Sequence, residues 1–366
     1  MVITLEKKEF AEAVLRVARF AERRSATLPV LSGIAIVAGD DGVKLRATNL
    51  ETGIDLKVNA TIETSGIAVI PAATLREITN SFTDTGSIKL EHAGDTVVLS
   101  SKAGKSTLKT LSPEDFPTLP LPDDGKTKFS LPGNSLRTLV GSVAAFASPS
   151  TVRPELGSVL LSAEAGIVKA VATDSFRLAE KKLTVQGTIQ PFSILIPAKN
   201  ALDIVQTLPD ETVEVLLDEH QCAFSWPGGI VTTRLVTVPY PDYQQIIPKN
   251  FASESIVLKK DFEAVLKRTA VFSDQFQKIR MQFSVPEKKI IFSARNSDVG
   301  ESSETISAAI TGEEVELSFN HRYLGAPLPL ITTENLSLSC AGMGRPMIMR
   351  GVGDNTFLYL VMPMNQ

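Results

Sequence analysis

The sequence predicts an α+β fold built from three tandem domains of about 120 residues, each with two helices on a mainly antiparallel sheet. Three observations carry that reading. A helical apolar pattern recurs at a fixed period, short alternating strands fill the space between helices, and proline-rich joins close the first two repeats.

The repeat is clearest in the helices. Phe10, Val14, Val17 and Phe20 are spaced by three and four, which gathers them on one buried helix face. The pattern returns 126 residues later at Leu136, Val140, Val143 and Phe146, and 126 later again at Phe262, Leu266, Thr269 and Phe272. A second helix follows a strand that ends in proline. Ile67 to Pro71 leads into Leu75 and Ile78, and Ile194 to Pro197 leads into Ala201 and Ile204. Proline suits a first helical turn, where its missing N–H has no helical partner to lose. In the third copy Val315 to Asn320 leads into His321, Arg322, Tyr323 and Leu324, and Gly325, Pro327 and Pro329 should cut that helix short. The predicted helices are 7–24, 72–80, 133–147, 198–208, 259–272 and 320–331.

Alternating segments read as strands, among them 33–37, 43–47 and 87–90, then 158–162, 167–172 and 212–217, then 280–285, 290–294 and 357–361. Turns rich in Gly, Asn and Asp join them, as tight hairpins require. The proline-rich run 116–125 and the segment 240–250 mark the joins, so the predicted domains are 1–122, 127–249 and 251–366.

Composition narrows the class. The 366 residues are 43% hydrophobic and 21% charged, as in packed domains and unlike disordered chains. No run approaches the roughly 18 apolar residues of a membrane span, and the N-terminus has no signal-peptide pattern. Two cysteines, Cys222 and Cys340, are too few for a disulfide scaffold. The expected compartment is the cytoplasm, with no membrane partner.

Charge is segregated by element. The chain carries a net charge of −4, yet its six predicted helices sum to +7, which leaves −11 for everything else. Two readings stay open at this point. Basic helix faces can simply be solvated, or they can line one surface that meets a polyanion. Diffuse basic charge fits phosphate-backbone contact, and with one Trp and four Tyr there is no stacking platform for single strands.

Motifs for catalysis are missing. His92, His220 and His321 are far apart, and neither H-E-x-x-H nor C-x-x-C occurs, so no metal or other cofactor is expected. Gly104-Lys105-Ser106 resembles the end of a phosphate loop, but Leu99 stands where the first glycine belongs, and the segment reads as a hairpin. No G-x-S-x-G elbow is present. A binding role leads over an enzymatic one. Two segments need explanation. Ala172 to Ala179 reads as strand, turn and strand with a buried Phe176, and Leu360 to Gln366 is a Met-rich apolar end suited either to core packing or to an adaptable groove.

These residues carry a resemblance. Thr27-Leu28-Pro29-Val30-Leu31, Arg153-Pro154-Glu155-Leu156, Thr173-Asp174-Ser175-Phe176-Arg177-Leu178, Pro241-Asp242-Tyr243, Phe319-Asn320 with Arg322-Tyr323-Leu324, and Val361-Met362-Pro363-Met364 together resemble the bacterial DNA polymerase III beta subunit, the sliding clamp. The likeness covers essentially the whole chain. It implies three tandem repeats of a DNA-clamp domain and a ring-forming homodimer that encircles double-stranded DNA without reading its sequence. Helices would lie inside and sheets outside, and the role would be that of a processivity factor with no catalysis of its own. It also implies a groove for short peptides carried by the replicative DNA polymerase, the clamp loader and other partners.

By the same resemblance the groove comprises Leu156, Thr173, Ser175, Phe176, Arg177 and Leu178, with Pro241, Gln245 and Ile246. Asn320, Tyr323, Met347, Leu360, Val361, Met362, Pro363 and Met364 complete it. DNA would meet Arg23, Arg24, Arg76, Arg137 and Lys199. The dimer seam would set Lys105 and Leu108 against Phe272, Glu301 and Glu304, although the repeat mates Phe20 and Phe146 equally suggest that Phe272 is core. Gln245 stands where the family often has a basic residue, and Asn365-Gln366 replaces a more basic or apolar tail. A three-domain peptide-binding adaptor that never encircles DNA is the alternative.

Overall fold

The structure is a computed structural model that describes the chain except residues 24–26, 83–84, 103, 120, 123–127, 186–188 and 365–366, and except the side chain of Lys128. Six α-helices occur among the described residues: α1 (Lys7–Val17), α2 (Ala72–Asn80), α3 (Gly133–Gly141), α4 (Ala198–Val205), α5 (Lys259–Ala270) and α6 (His321–Gly325). Each begins where a strand ends, as the repeat predicts.

Several helices stop earlier than periodicity alone suggests. α1 ends at Val17, although Phe20 is still fully buried beyond it. The apolar spacing therefore records a buried face that outlasts the helical hydrogen bonds. α3 ends at Gly141, and a 3-10 turn at Ala144–Phe146 carries Phe146 inward. α6 is only five residues long, followed by a 3-10 turn at Leu328–Leu330, because proline cannot continue the helical ladder. With these bounds the six helices still sum to +5.

The chain forms two compact units. One comprises Met1–Arg137 and Lys199–Thr237; the other comprises Thr138–Ala198 and Val238–Gln366. The strands of the middle repeat are therefore shared out, and each unit holds one small sheet and one large one.

In the first unit the small sheet runs Ala60–Thr64, Val2–Glu6, Ser87–Ala93, Thr96–Ser101, Gly104–Lys109. The large sheet runs Lys128–Pro132, Thr212–Leu217, Gln221–Trp226, Gly229–Arg234, Thr52–Val58, Gly42–Thr48, Gly33–Gly39, Gly66–Pro71. Gly229–Arg234 of the second repeat pairs antiparallel with Thr52–Val58 of the first, with Val231 opposite Ile54. This pairing hides two strand edges that would otherwise be open to aggregation. The strand Thr52–Val58 is absent from the sequence prediction. Ile54, Leu56 and Val58 alternate along it, and between them Asp55 binds Arg46 at 2.8 Å.

The second unit repeats the plan. Its large sheet runs Phe192–Pro197, Ser158–Glu164, Ile167–Thr173, Arg177–Thr184, Phe357–Val361, Met347–Gly351, Asn335–Cys340, Ser253–Leu258, Ala309–Gly312. Its small sheet runs Gly300–Ser307, Lys289–Asn296, Lys278–Ser284, Val315–Asn320. Here the second and third repeats join, with Leu178 opposite Leu360 and Ala179 opposite Tyr359. All five residues of Phe357–Val361 are buried, because a strand in the middle of a covered sheet presents apolar side chains to both faces. Phe262 meets Phe292 edge-on at 5.4 Å beneath α5, and Phe146 tilts against Tyr359 at 5.0 Å.

Close packing at one helix start gives a test. A Cβ on Gly133, the first residue of α3, would sit 1.9 Å from the Pro209 carbonyl oxygen, whereas one on Gly39 would meet nothing within 4 Å. Gly133→Ala is expected to destabilise the protein by about 1–3 kcal/mol, while Gly39→Ala stays within about 0.5 kcal/mol of the parent. Denaturant melts of the two variants read the difference.

Candidate functional site

All seventeen residues predicted to form a peptide groove fall in the second unit. The centre is the turn joining Ile167–Thr173 to Arg177–Thr184. The Thr173 hydroxyl donates to the Arg177 carbonyl oxygen at 2.7 Å and accepts from the Ser175 amide at 3.2 Å. Asp174 closes the turn. Its Oδ1 accepts the amides of Phe176 and Arg177, both at 3.0 Å, and its Oδ2 accepts Arg177 Nε at 2.8 Å. Ser175 is held at φ 76°, a left-handed conformation that costs a non-glycine residue energy and persists only under such constraint.

Of the two roles read for Phe176, core residue or groove residue, the first fails here. Phe176 is not buried; 60% of it is exposed. Phe176 lies in the turn between the strand that ends at Thr173 and the one that begins at Arg177, so neither strand face covers it.

Arg177 links this turn to the third repeat. Its guanidinium lies 5.3 Å from the Phe146 ring and 4.6 Å from the Tyr323 ring. Cation–π attraction strengthens when the cation is partly desolvated, as here. Burial by itself would lower the Arg177 pKa, but the Asp174 hydrogen bond and the charges around it outweigh burial and hold it above its usual value. The Tyr359 hydroxyl donates to the Tyr323 carbonyl oxygen at 2.8 Å, and burial pushes that phenol well above its ordinary pKa. Asn320 caps α6, accepting the Arg322 amide at 2.9 Å. Next to it, His321 Nε2 lies 2.7 Å from Gln277 Oε1, and burial together with Arg322 lowers its pKa.

The C-terminal tail completes the surface. Met362 N donates to the Phe176 carbonyl oxygen and Met364 N to the Ser318 carbonyl oxygen, each at 2.8 Å. Met362, Pro363 and Met364 are half-buried. Beside them a cleft of about 530 Å³ opens, walled also by Lys278, Arg280 and Met343. Leu156, Leu178, Met347, Leu360 and Val361 are buried in or under the sheet, so they support the surface rather than present it. Pro241, Gln245 and Ile246 are exposed, with Gln245 Nε2 donating to Asp242 at 2.7 Å. Behind them Tyr243 donates its hydroxyl to the buried Glu180 carboxylate at 2.6 Å. Asp174, Phe146, Lys278, Arg280 and Met343 are not among the groove residues expected from sequence. Asp174 lies inside a quoted motif, but the other four are brought in by pairing and packing, which leave no local signal.

The predicted DNA cations are placed differently from one another. Arg23 and Arg76 are exposed, and the Lys199 side chain is 76% exposed with its ammonium 3.2 Å from Asp203. Arg24 lies outside the described residues. Arg137 is engaged. It donates to the carbonyl oxygens of Val205 and Leu208 at 3.2 and 2.6 Å and to Asp210 at 2.7 Å, closing the C-terminal end of α4. Arg19, not chosen from sequence, pairs with Gln206 and lies 3.8 Å from Asp203.

The predicted seam residues sit on strand edges. Gly104–Lys109 is an edge of one small sheet, with Lys105 exposed and Leu108 turned inward. Gly300–Ser307 is an edge of the other, with Glu301 exposed and Glu304 bound to Arg268 at 2.9 Å. That Arg268 bond holds the Glu304 carboxyl below its usual pKa. Phe272 is only half-buried and its neighbour Val271 is 63% exposed, whereas Phe20 and Phe146 are fully buried. Phe272 therefore departs from its repeat mates.

The turn is expected to depend on Asp174. Removing its carboxylate in Asp174→Ala strips two amides and a guanidinium of their acceptor at once. A loss of about 1–3 kcal/mol is expected in denaturant melts, more than for Ser175→Gly, which relieves strain.

Comparison with known proteins identifies the family. Three family models match in succession: the DNA polymerase III beta subunit N-terminal domain over residues 1–120, the central domain over 130–242 and the C-terminal domain over 244–365. The beta sliding clamp of Bacillus subtilis is 28% identical, with 99% of each chain covered, and that of Synechococcus elongatus is 28% identical, with 92% of each covered. A crystal structure of the Pseudomonas aeruginosa sliding clamp bound to griselimycin superposes with a TM-score of 0.92 at 26% identity, over all of both chains. With three successive domain models spanning nearly its whole length, the chain belongs to the DNA polymerase III beta subunit family.

Proposed function

We propose that this chain is a processivity factor, not a catalyst: two copies close head to tail around double-stranded DNA and slide on it. The groove of each copy holds peptide segments of the replicative polymerase, the clamp loader and other replication and repair proteins. The clamp domains of each copy run 1–122, 127–249 and 251–366, and the ring works in the cytoplasm. Among the described residues no helix is long and apolar enough to cross a membrane.

The observation that carries the reading is the convergence on Arg177 of the exposed turn, the Met362–Met364 tail and Tyr323, in a chain whose relative has been crystallised with griselimycin. Met side chains adapt their shape, and the buried strands beneath keep the surface rigid. A peptide with glutamine and two large apolar residues matches such a surface, the amide facing the polar rim and the apolar groups facing the methionines.

Ring closure is supported by the two strand edges. Gly104–Lys109 offers Lys105 and Lys109, and Gly300–Ser307 offers Glu301, with Glu304 already bound to Arg268 on the same edge. An unpaired edge of one sign facing an unpaired edge of the other favours antiparallel or parallel addition across a heterologous contact, which closes if the rotation closes. Sliding needs only weak contacts. Exposed cations such as Arg23, Arg76 and Lys199 meet phosphates through screened attraction, while topology prevents escape. A polymerase tethered to the ring then meets its template at high effective concentration.

Three measurements check this. A glutamine-leucine-x-leucine-phenylalanine peptide is expected to bind saturably by fluorescence anisotropy, and Met362→Ala should weaken it by at least about tenfold. No binding by the folded protein would remove the groove. Lys105→Glu should raise the monomer fraction in sedimentation, and adding Glu301→Lys should restore the dimer. On nicked circular DNA, Arg76→Glu with Lys199→Glu should shorten retention while sparing peptide affinity. A folded monomer with no salt-dependent DNA association would instead indicate a peptide adaptor.

A further inference from the structure

The cleft beside the tail extends past the surface described so far. Along the strand Lys278–Ser284, Lys278 stands opposite Asn320 and Arg280 opposite Ser318. Both partners belong to the groove surface: Asn320 caps α6, and the Ser318 carbonyl oxygen holds the Met364 amide at 2.8 Å. Residues directly opposite on an antiparallel pair project to the same face. Lys278 and Arg280 are thus the next row outward from the tail, across a cleft of about 530 Å³ whose other wall is Met343, Met362 and Met364.

Glu316 lines the same cleft, so Lys278, Arg280 and Glu316 together leave a net charge of +1 there. Among the described residues no carboxylate is ion-paired with Lys278; the nearby Asp274 carboxylate instead accepts the backbone amides of Phe276 and Lys278, each at 3.0 Å. Arg280 meets Glu316 at 3.2 Å, but both side chains are about half exposed, where an ion pair holds little and is readily exchanged. Met343 is 71% exposed, so the apolar wall is equally open. The cations stand on a paired strand rather than on a loop, which presents them in fixed positions.

Resting on the groove reading above, we infer that this cleft receives an acidic flank of the bound peptide: carboxylate side chains next to the core motif face Lys278 and Arg280 while their apolar neighbours lie on Met343 and Met364. The chain thereby prefers partners whose clamp-binding peptide is preceded or followed by Asp or Glu. The preference comes from continuity with the groove together with net positive charge on one wall, and it requires no movement of the turn or the tail.

The test uses the full chain and labelled peptides sharing one glutamine-leucine-x-leucine-phenylalanine core. One set carries two aspartates before the core, one carries two aspartates after it, one carries serines at both places, and one carries lysines. At low salt one of the aspartate peptides is expected to bind about threefold to tenfold tighter than the serine peptide, and the advantage should shrink at high salt. Lys278→Glu with Arg280→Glu should abolish that advantage while leaving the serine peptide unchanged, which also shows that the variant is folded. Equal affinity of the aspartate and serine peptides for the parent protein overturns the inference but leaves the groove standing. Failure of every peptide removes the groove and this inference with it. If the charge reversal shortens DNA retention and leaves peptide discrimination intact, the row serves phosphate and the inference fails.

Discussion

The pairing of Arg177–Lys181 with Phe357–Val361 is the constraint on which the candidate site depends. It joins strands from opposite ends of the second unit's sequence, with Arg177 opposite Val361 and Leu178 opposite Leu360. Because side-chain direction alternates along a strand, a slip of one residue would put every side chain on the opposite face, away from the partners it packs against, so the register is strongly held. Once it is held, the turn at 174–176 and the tail at 362–364 must leave the sheet side by side. The bond from Met362 N to the Phe176 carbonyl oxygen records that adjacency. The candidate groove surface is a consequence of sheet register before it is a matter of any individual side chain.

Arg177 makes that adjacency rigid. A guanidinium held by Asp174 and stacked beside Phe146 and Tyr323 ties the 3-10 turn after α3, the central turn and α6 to one point. Its planar shape suits this role better than a lysine ammonium would, since it can both stack on rings and share a carboxylate. The exposed methionines and Phe176 can then adapt around a fixed frame. Rigidity beneath and adaptability above is the arrangement expected of a surface that takes several related peptides.

The cations divide into structural and available ones by a criterion that charge counting cannot supply. Arg137 donates to two carbonyl oxygens and a carboxylate at the end of α4, so its charge is committed to holding that end. Arg76 is exposed, and Lys199, although 3.2 Å from Asp203, keeps 76% of its side chain exposed, so that surface pair is readily exchanged. The net positive charge of the helices survives when their true bounds are used, but only part of it can meet a polyanion. The same distinction applies to Glu304, engaged by Arg268, and Glu301, which is exposed on the same edge.

The threefold repeat, the placement of the helices after strands ending in proline or asparagine, and the early end of α6 follow from the sequence alone, because apolar periodicity and proline geometry are local properties. The quoted motifs likewise mark the turn and the tail before any pairing is known. What only tertiary structure decides is which strand lies beside which. Nothing local says that Gly229–Arg234 pairs with Thr52–Val58, or that the middle repeat contributes strands to two separate units. Phe176 is exposed in the turn at 174–176, and Lys278 borders the candidate groove because its strand pairs with Val315–Asn320. The strand pairings are consequences of long-range hydrogen bonding, whose energy depends on partners distant in sequence and leaves no periodic trace in the residues themselves.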